Sequence, residues 1–166
     1  MSTPPSGLRI RPYRAQDAAA TLEIFVRAIL TAARTDYTEE QTTAWLGDHP
    51  RATGWNEERQ QAGTFVAELD GIVAGFSDLR DDGYIDRLFT FPGLARRGIG
   101  GALVQHAIAL GRDRALAALS THASRLARPV FERAGFQVQG RQLVRRGDVE
   151  LERFAMRLPL DTAGTA

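Results

Sequence analysis

A glycine-rich turn, ARRGIGGAL, between a strand-like and a helical segment constrains this 166-residue chain more than any other feature. Gly98, Gly100 and Gly101 remove side chains at a point where backbone amides must approach a ligand. The first amides of a helix are unpaired and carry partial positive charge, so they suit a phosphate. Arg96 and Arg97 add two guanidinium groups, whose forked donors match phosphate oxygens. The turn therefore predicts a pyrophosphate site, and a connection without a ligand is the alternative.

Two other phosphate-binding folds do not match this chain. A Walker loop requires a Gly-Lys pair, and the chain contains no lysine. A dinucleotide-binding fold places its glycine loop after the first strand of a parallel sheet. Here the turn lies near the middle of the chain and follows strands that are predicted to be antiparallel.

The hydrophobic pattern predicts an α/β fold with a mixed, largely antiparallel twisted sheet flanked by helices. Asp17 is a candidate N-cap of the first helix, and Thr38 with Gln41 matches a capping box for the second. Asp70 and Gly71 form a strong hairpin signal. The predicted order, β-αα-βββ-α-β-α-ββ, corresponds to residues 8–11, 17–33, 38–47, 64–69, 72–79, 84–91, 98–112, 115–121, 124–134, 136–144 and 149–158.

Composition excludes several classes of function. The 21 basic and 20 acidic side chains leave a net charge of +1, which argues against a nucleic-acid partner. The absence of cysteine excludes a disulfide scaffold, a thiolate metal site and a cysteine nucleophile. The 3 histidines lack metal-ligand spacing, so we expect no metal. No segment is typical of a signal peptide or a membrane helix, so we expect one cytoplasmic domain, 1–166, with its ordered core at 8–158.

The residues around the glycine turn resemble two motifs of the GCN5-related N-acetyltransferase (GNAT) superfamily. The segment IDRLFTFPGLARRGIGGALVQHA resembles its acetyl-CoA-binding motif, and SRLARPVFERAGF resembles its closing Asn-x-x-Ala-x-x-x-Tyr-x-x-x-Gly-Phe pattern. DYTEEQTTAW, together with RPVFERAGF, is similar to a bacterial subgroup of uncharacterised acetyltransferases. The resemblance implies a GNAT fold and direct acetyl transfer from acetyl-CoA to a small amine, without a covalent enzyme intermediate. It leaves the acceptor unidentified and a homodimer open.

The resemblance also implies which residues contact the coenzyme. Leu88, Phe89 and Thr90 would lie on the strand that pairs with the pantetheine arm, and the amide of Phe89 or Thr90 would stabilise the oxyanion. Ser124 stands where the family has an asparagine that touches the coenzyme. The residues that would surround the pyrophosphate are Arg96, Arg97, Gly98, Ile99, Gly100 and Gly101, with Ala102 just inside the helix.

Two positions depart from the family pattern. Ala95 replaces the Gln or Arg that begins the pyrophosphate motif, so Arg96 is expected to substitute for it. Phe131 replaces the tyrosine that protonates the departing thiolate, and phenylalanine has no proton to donate. Phe131 either faces the coenzyme sulfur or is a core residue. A non-catalytic acyl-CoA-binding or sensor domain is therefore an alternative function, which Ser124 and Phe131 favour.

A second alternative is a nucleic-acid-binding domain, because arginines cluster towards the end of the chain. A solvated basic face explains the same residues. They are Arg125, Arg128, Arg133, Arg141, Arg145 and Arg146.

The acceptor amine must lose a proton, since alkyl amines have a pKa near 10. Tyr84, Asp86, Leu88 and Thr90 are expected to share one face of a continuous strand, which makes Asp86 the candidate base and Tyr84 a proton relay. Pairing of Asp86 with Arg80 or Arg87 is the alternative. His122, at the end of the next strand, is a second candidate base, although a surface position is also typical of such a residue.

The acceptor pocket is expected at the junction of the first two helices, as in the family. Asp36, Tyr37 and Trp45 are the candidate acceptor-binding residues, and Trp45 at helical spacing is equally consistent with a core position. Trp55 lies in a polar stretch, 51–61, which we interpret as a mobile flap over the acceptor or a passive connector.

Overall fold

The computed structural model describes residues 3–47, 52–94 and 96–161, except for the side chains of 32–36 and 52. It has the predicted α/β class, with a mixed and mainly antiparallel sheet arrangement flanked by helices. The elements are β1 (Leu8–Pro12), α1 (Ala18–Asp36), α2 (Glu39–Leu46), α3 (Ala52–Gln61), β2 (Thr64–Leu69), β3 (Ile72–Asp78), β4 (Tyr84–Ile85), β5 (Leu88–Thr90), α4 (Ile99–Asp113), β6 (Ala118–Ala123), α5 (Arg128–Arg133), β7 (Gln137–Arg146) and β8 (Val149–Pro159).

The strands form two four-stranded sheets, ordered β1-β2-β3-β5 and β4-β6-β8-β7. Only the β4–β6 pair is parallel among the described strands. Asp70 and Gly71 turn between β2 and β3 with φ values of 51° and 83°, the left-handed conformation of the tight hairpin that their sequence predicts. Thr38 and Gln41 form the predicted capping box at the start of α2, which ends at Gly47.

The first sheet is covered on both faces, because successive residues of a strand point to opposite sides. Phe65 and Ala67 of β2 pack towards α4, whereas Val66 packs towards α1 and α3. The α4-side cluster contains, among others, Ile85, Ile99, Leu103, Leu119, Ala123 and Phe131. The α1-side cluster contains Ile24, Phe25, Ile29, Trp55, Val66 and Phe76.

Residues 52–61 of the polar stretch form the packed helix α3, which corrects the interpretation of this stretch as a mobile flap or passive connector. Trp55 is only 2% exposed, and its indole N–H donates to Thr21 Oγ1 at 3.0 Å. Arg59, one helical turn later, is also buried. The error has a physical cause: these two residues carry most of the buried surface of α3, so the rest of its sequence is polar.

Two predicted helix starts are also corrected. Asp17 does not cap α1; it lies in a preceding 3₁₀ turn, where its carboxylate accepts from the Arg14 amide and from Arg11. The last helix begins at Arg128 rather than at Ser124, because residues 124–127 form a turn. In that turn Ser124 Oγ accepts from the Ala127 amide at 3.2 Å.

Candidate active site

The segment predicted as one strand, 84–91, is divided between the two sheets by a buried carboxylate. Asp78, at the end of β3, is fully buried. Its Oδ1 accepts from the amides of Asp86 at 2.7 Å and Arg87 at 3.3 Å, and its Oδ2 accepts from Arg59 Nη1 at 3.1 Å. Amides that bond to a side chain cannot join a strand ladder, so β4 ends at Ile85 and β5 begins at Leu88. Burial raises the pKa of the Asp78 carboxyl, while the Asp86 amide and Arg59 oppose that shift.

The interruption changes which side chains share a face. Ile85 and Leu88 both pack into the α4-side cluster, although an unbroken strand would place them on opposite faces. One residue between Ile85 and Leu88 is therefore extra, as in a β-bulge. Thr90 also faces α4, where its methyl group lies beside Gly100. Tyr84 points the other way, towards His122, so the prediction of one shared face is wrong.

Beyond the interruption the two sheets separate and leave a gap. β4 and β6 pair only at Tyr84–Ser120 and Ile85–Thr121. On the other side of the gap, β5 pairs with β3 alone among the described strands. The Phe91 amide donates to Ala74 O at 2.8 Å, and Arg87 O accepts from Ser77 Oγ at 2.7 Å, so residues 87, 89 and 91 direct their backbone groups to β3.

The antiparallel pattern then points the backbone N–H and C=O groups of Leu88 and Thr90 into the gap. No described strand pairs with these groups on that side, so an extended ligand can pair with them. For an oxyanion at this edge, the geometry favours the Thr90 amide over that of Phe89.

The glycine-rich turn lies at the start of α4. Arg96 and Gly98 have φ values of 65° and 81°, a left-handed backbone that aligns successive amides for an anion. Gly98 is the N-cap, and because it has no side chain, no capping group covers the first amides of α4. Arg96 and Arg97 are both exposed. A Cβ on Gly101 would meet nothing within 4 Å, so the space above the first turn of α4 is open. These residues fit a pyrophosphate; Ala95 lies outside the described residues.

Two candidate catalytic side chains contact each other on the face opposite α4. Tyr84 Oη lies 2.8 Å from His122 Nδ1. Burial and the Arg153 charge lower the pKa of His122 from its usual 6.5, so the imidazole is neutral at pH 7. Burial and the Asp86 charge raise the pKa of Tyr84 above 10.0, so its hydroxyl keeps its proton. With hydrogen on Nε2, the imidazole accepts the Tyr84 hydroxyl hydrogen at Nδ1.

Asp86 lies beside this pair but is engaged by arginines. Its Oδ2 is 3.3 Å from Arg80 Nη2 and 3.9 Å from Arg87 Nε. Pairing of Asp86 with Arg80 or Arg87 is the structural role that the sequence analysis gave as the alternative to catalysis. The assignment of Asp86 as the base stays a prediction.

The candidate acceptor residues meet at the α1–α2 junction. Tyr37 is 9% exposed and packs edge-to-face on Trp45, with ring centroids 5.3 Å apart. The Arg125 guanidinium lies 4.9 Å above the Tyr37 ring and 3.5 Å from Glu152 of β8. The side chain of Asp36 is outside the described part of the chain.

Phe131 is 2% exposed and lies in the α4-side cluster, edge-to-face with Phe136 at 5.1 Å. This burial favours the interpretation of Phe131 as a core residue. Its predicted contact with the coenzyme sulfur stays a prediction.

Three of the clustered arginines have carboxylate partners. Arg125 and Arg141 both contact Glu152, and Arg128 Nε lies 2.7 Å from Glu132 Oε1. Such pairing reduces the positive potential that a nucleic-acid surface requires.

The opened sheet lies beside the glycine-rich helix start, an arrangement that can hold an extended ligand with a phosphate at one end. A family model described as an acetyltransferase (GNAT) domain matches residues 33–158. The chain belongs to this family, which confirms the resemblance seen in the sequence, and is an N-acetyltransferase.

Known proteins agree with this family. The chain is 33% identical over 153 residues to the uncharacterized N-acetyltransferase YafP of Escherichia coli K12, covering 92% of this chain and 96% of that protein. A GCN5-related N-acetyltransferase from Rhodopseudomonas palustris superimposes with a TM-score of 0.86 at 29% identity, over 96% and 98% of the two chains. The Salmonella typhimurium protein yncA, solved with its cofactor acetyl-CoA, has the same fold, with a TM-score of 0.69 at 22% identity over 97% and 98%.

No described helix is long and apolar enough to cross a membrane.

Proposed function

We propose that this enzyme binds acetyl-CoA in the gap between β5 and β6 and transfers the acetyl group directly to a small amine. One observation carries the proposal: the backbone groups of Leu88 and Thr90 point into a gap that leads to the open helix start at Gly98. The acetyl-CoA complex of the Salmonella typhimurium relative supports the choice of coenzyme.

The chain divides coenzyme binding between two elements. The backbone of β5 pairs with the pantetheine arm, with Phe89 holding the strand against β3. The amides and arginines of residues 96–101 bind the pyrophosphate, and Ala102 continues the helix behind them. Ser124 Oγ orders the turn before α5, next to the end of β6. The coenzyme supplies a thioester, whose carbonyl carbon is the electrophile.

Tyr84 and His122 act together as the general base for the acceptor amine. An alkylammonium acceptor first loses one proton to water. As the neutral amine nitrogen bonds to the carbonyl carbon, its next proton passes to the Tyr84 hydroxyl oxygen while Tyr84 passes its own proton to His122 Nδ1. The Thr90 amide donates to the carbonyl oxygen while negative charge develops there. The carbon–sulfur bond then breaks, and the proton held by the Tyr84–His122 pair passes to the sulfur or to water. A thiolate is an acceptable leaving group, because thiols have a pKa near 8.5, so the reaction does not require a tyrosine at position 131.

Gly101→Val tests the placement of the coenzyme. The new side chain has free space, so the fold should persist, but it covers the amides that approach the pyrophosphate. We expect acetyl-CoA affinity, measured by calorimetry, to fall by about 100-fold, the effect of losing several charge-assisted hydrogen bonds. Gly140→Val is the matched control, since Gly140 also has open space but lies in β7. Equal affinity of both variants would rule out this site.

The sequence left a non-catalytic acyl-CoA-binding domain as the alternative, because phenylalanine stands where the resemblance implies a general acid. Thiol release from acetyl-CoA across a panel of amines separates the two functions. Tight acetyl-CoA binding without amine-dependent thiol release would establish the binding domain.

A further inference from the structure

Arg87 is a partly buried cation whose charge the described residues neutralise incompletely. Its side chain is 24% exposed, and its nearest carboxylate oxygen, on Asp86, is 3.9 Å from Nε. That Nε is buried without a hydrogen-bond partner among the described residues. Asp78 accepts from the Arg87 amide but pairs with the guanidinium of Arg59, and Glu58 acts on Arg87 only at a distance, without an ion pair among the described residues. A buried charge without a bonded partner is costly, so an additional anion would be stabilising here.

Two aromatic rings hold the Arg87 guanidinium in place. Its carbon lies 4.7 Å from the ring centre of Phe25 and 5.1 Å from that of Trp55. These rings pack on each other at 5.2 Å, and the Trp55 indole is fixed by its hydrogen bond to Thr21. A guanidinium that stacks through its face keeps the donors at its edge, and that planar fork matches a carboxylate.

Arg87 lies on the same side of the sheet as the Tyr84–His122 pair. It directly precedes β5, and it packs with Phe89 towards α1, the side to which Tyr84 also points. Three residues of extended chain span about 10 Å, so Tyr84 and Arg87 are within reach of one small molecule.

A second arginine adds positive charge to this face. Arg153 influences the pKa of both Tyr84 and His122, and its Nε donates to Gln142 Oε1 at 2.9 Å. It has no ion pair with a described carboxylate. Asp86 is the carboxylate on this face, and it is shared by Arg80 and Arg87, so the remaining positive charge favours an anionic acceptor over a polycation.

We propose that Arg87 binds a carboxylate of the acceptor, so that the substrate is an amino acid or another small amino-carboxylate rather than a polyamine. The inference rests on the proposed acetyl transfer. Arg87 determines specificity: it holds the end of the acceptor remote from the amine, and Tyr84 with His122 receives the proton.

The test compares acceptors that carry a carboxylate with their neutral amides. Wild-type enzyme and acetyl-CoA are assayed for thiol release with glycine, β-alanine, 4-aminobutyrate and larger amino acids, each beside its amide, and with spermidine. We expect kcat/KM to be about 10- to 100-fold higher for the best carboxylate than for its amide, the effect of one charge-assisted hydrogen-bond pair. Arg87→Gln should bring this ratio close to one, mainly through KM, and Arg87→Lys should restore part of it.

Arg27→Gln is the matched control, because Arg27 also stacks on an aromatic ring, that of Phe91, but is exposed and pairs with Glu23. Its ratio should equal that of the wild type. Equal kcat/KM for acids and amides in the wild type, or a ratio that Arg87→Gln leaves unchanged, would overturn the inference while acetyl transfer stands. Absence of thiol release with every acceptor would refute acetyl transfer itself, and the inference with it.

Discussion

Asp78 is expected to maintain the gap between the two sheets, because it binds the amides at the break between β4 and β5. Two substitutions of Asp78 distinguish this role in acetyl-CoA binding from its contribution to the free energy of unfolding. Asp78→Asn keeps an oxygen for the amides of Asp86 and Arg87 but removes the charge opposite Arg59. Breaking a buried ion pair costs about 3–5 kcal/mol, which lowers the Tm of a domain of this size by about 6–20 °C. Asp78→Ala also leaves two buried amides unpaired, which adds about 1–3 kcal/mol for each.

The two substitutions should therefore differ in acetyl-CoA binding. The Asn variant retains the bulge and binds normally below its Tm, whereas the Ala variant lets β5 shift and binds at least about 10-fold more weakly, since a loss of 1.4 kcal/mol already suffices. Unfolding by urea and calorimetric titration at low temperature measure both properties.

Asp17→Ala is the control for the Asp78 variants. Asp17 also forms a buried pair with an arginine, Arg11, at 2.8 Å, but it precedes α1 at the edge of the first sheet far from β5. It should lose comparable stability and keep its affinity for acetyl-CoA. The role of Asp78 in the gap would be refuted if Asp78→Ala bound acetyl-CoA as tightly as Asp17→Ala.

Three further outcomes are expected. A weakly basic aryl amine is already neutral near pH 7, so the pH profile with this acceptor reports on the enzyme. Its kcat/KM should be level near pH 7 and fall only below 6.5, where His122 gains its proton. In His122→Gln this fall at low pH should be absent. His122→Gln should lower turnover by about 100-fold and Asp86→Asn by much less, and the reverse order in steady-state kinetics would make Asp86 the base. Phe131→Tyr should lower stability by about 1–3 kcal/mol without raising turnover, because the new hydroxyl is buried; a faster variant would place residue 131 at the sulfur.

Features that depend on adjacent residues could be predicted from the sequence. The Asp70-Gly71 hairpin, the Thr38 capping box and the glycine turn each follow from the conformational preferences of a few neighbouring residues. The family resemblance and the fold class depend on such local features and their order, and both are confirmed.

Features that depend on remote contacts could not be predicted in this way. The break after Ile85 arises from Asp78, whose carboxylate removes two amides from the strand. Within 84–91 its only trace is the adjacent charged pair Asp86 and Arg87, which interrupts the alternation. Asp78 at the end of the mainly apolar strand β3 was a further signal, since a buried acid needs hydrogen-bond donors nearby. The stacking of Arg87 on Phe25 and Trp55 and the buried face of α3 likewise depend on residues far apart in sequence, so the sequence analysis missed both.

The most direct test of coenzyme binding is amide hydrogen exchange of the whole protein with and without acetyl-CoA. Leu88 and Thr90 direct their amides into the gap, so acetyl-CoA should slow exchange there and at residues 96–101. Residues 140–147 of β7 and the following turn should be unchanged. Unaltered exchange at Leu88 and Thr90 in protein saturated with acetyl-CoA would contradict binding along β5.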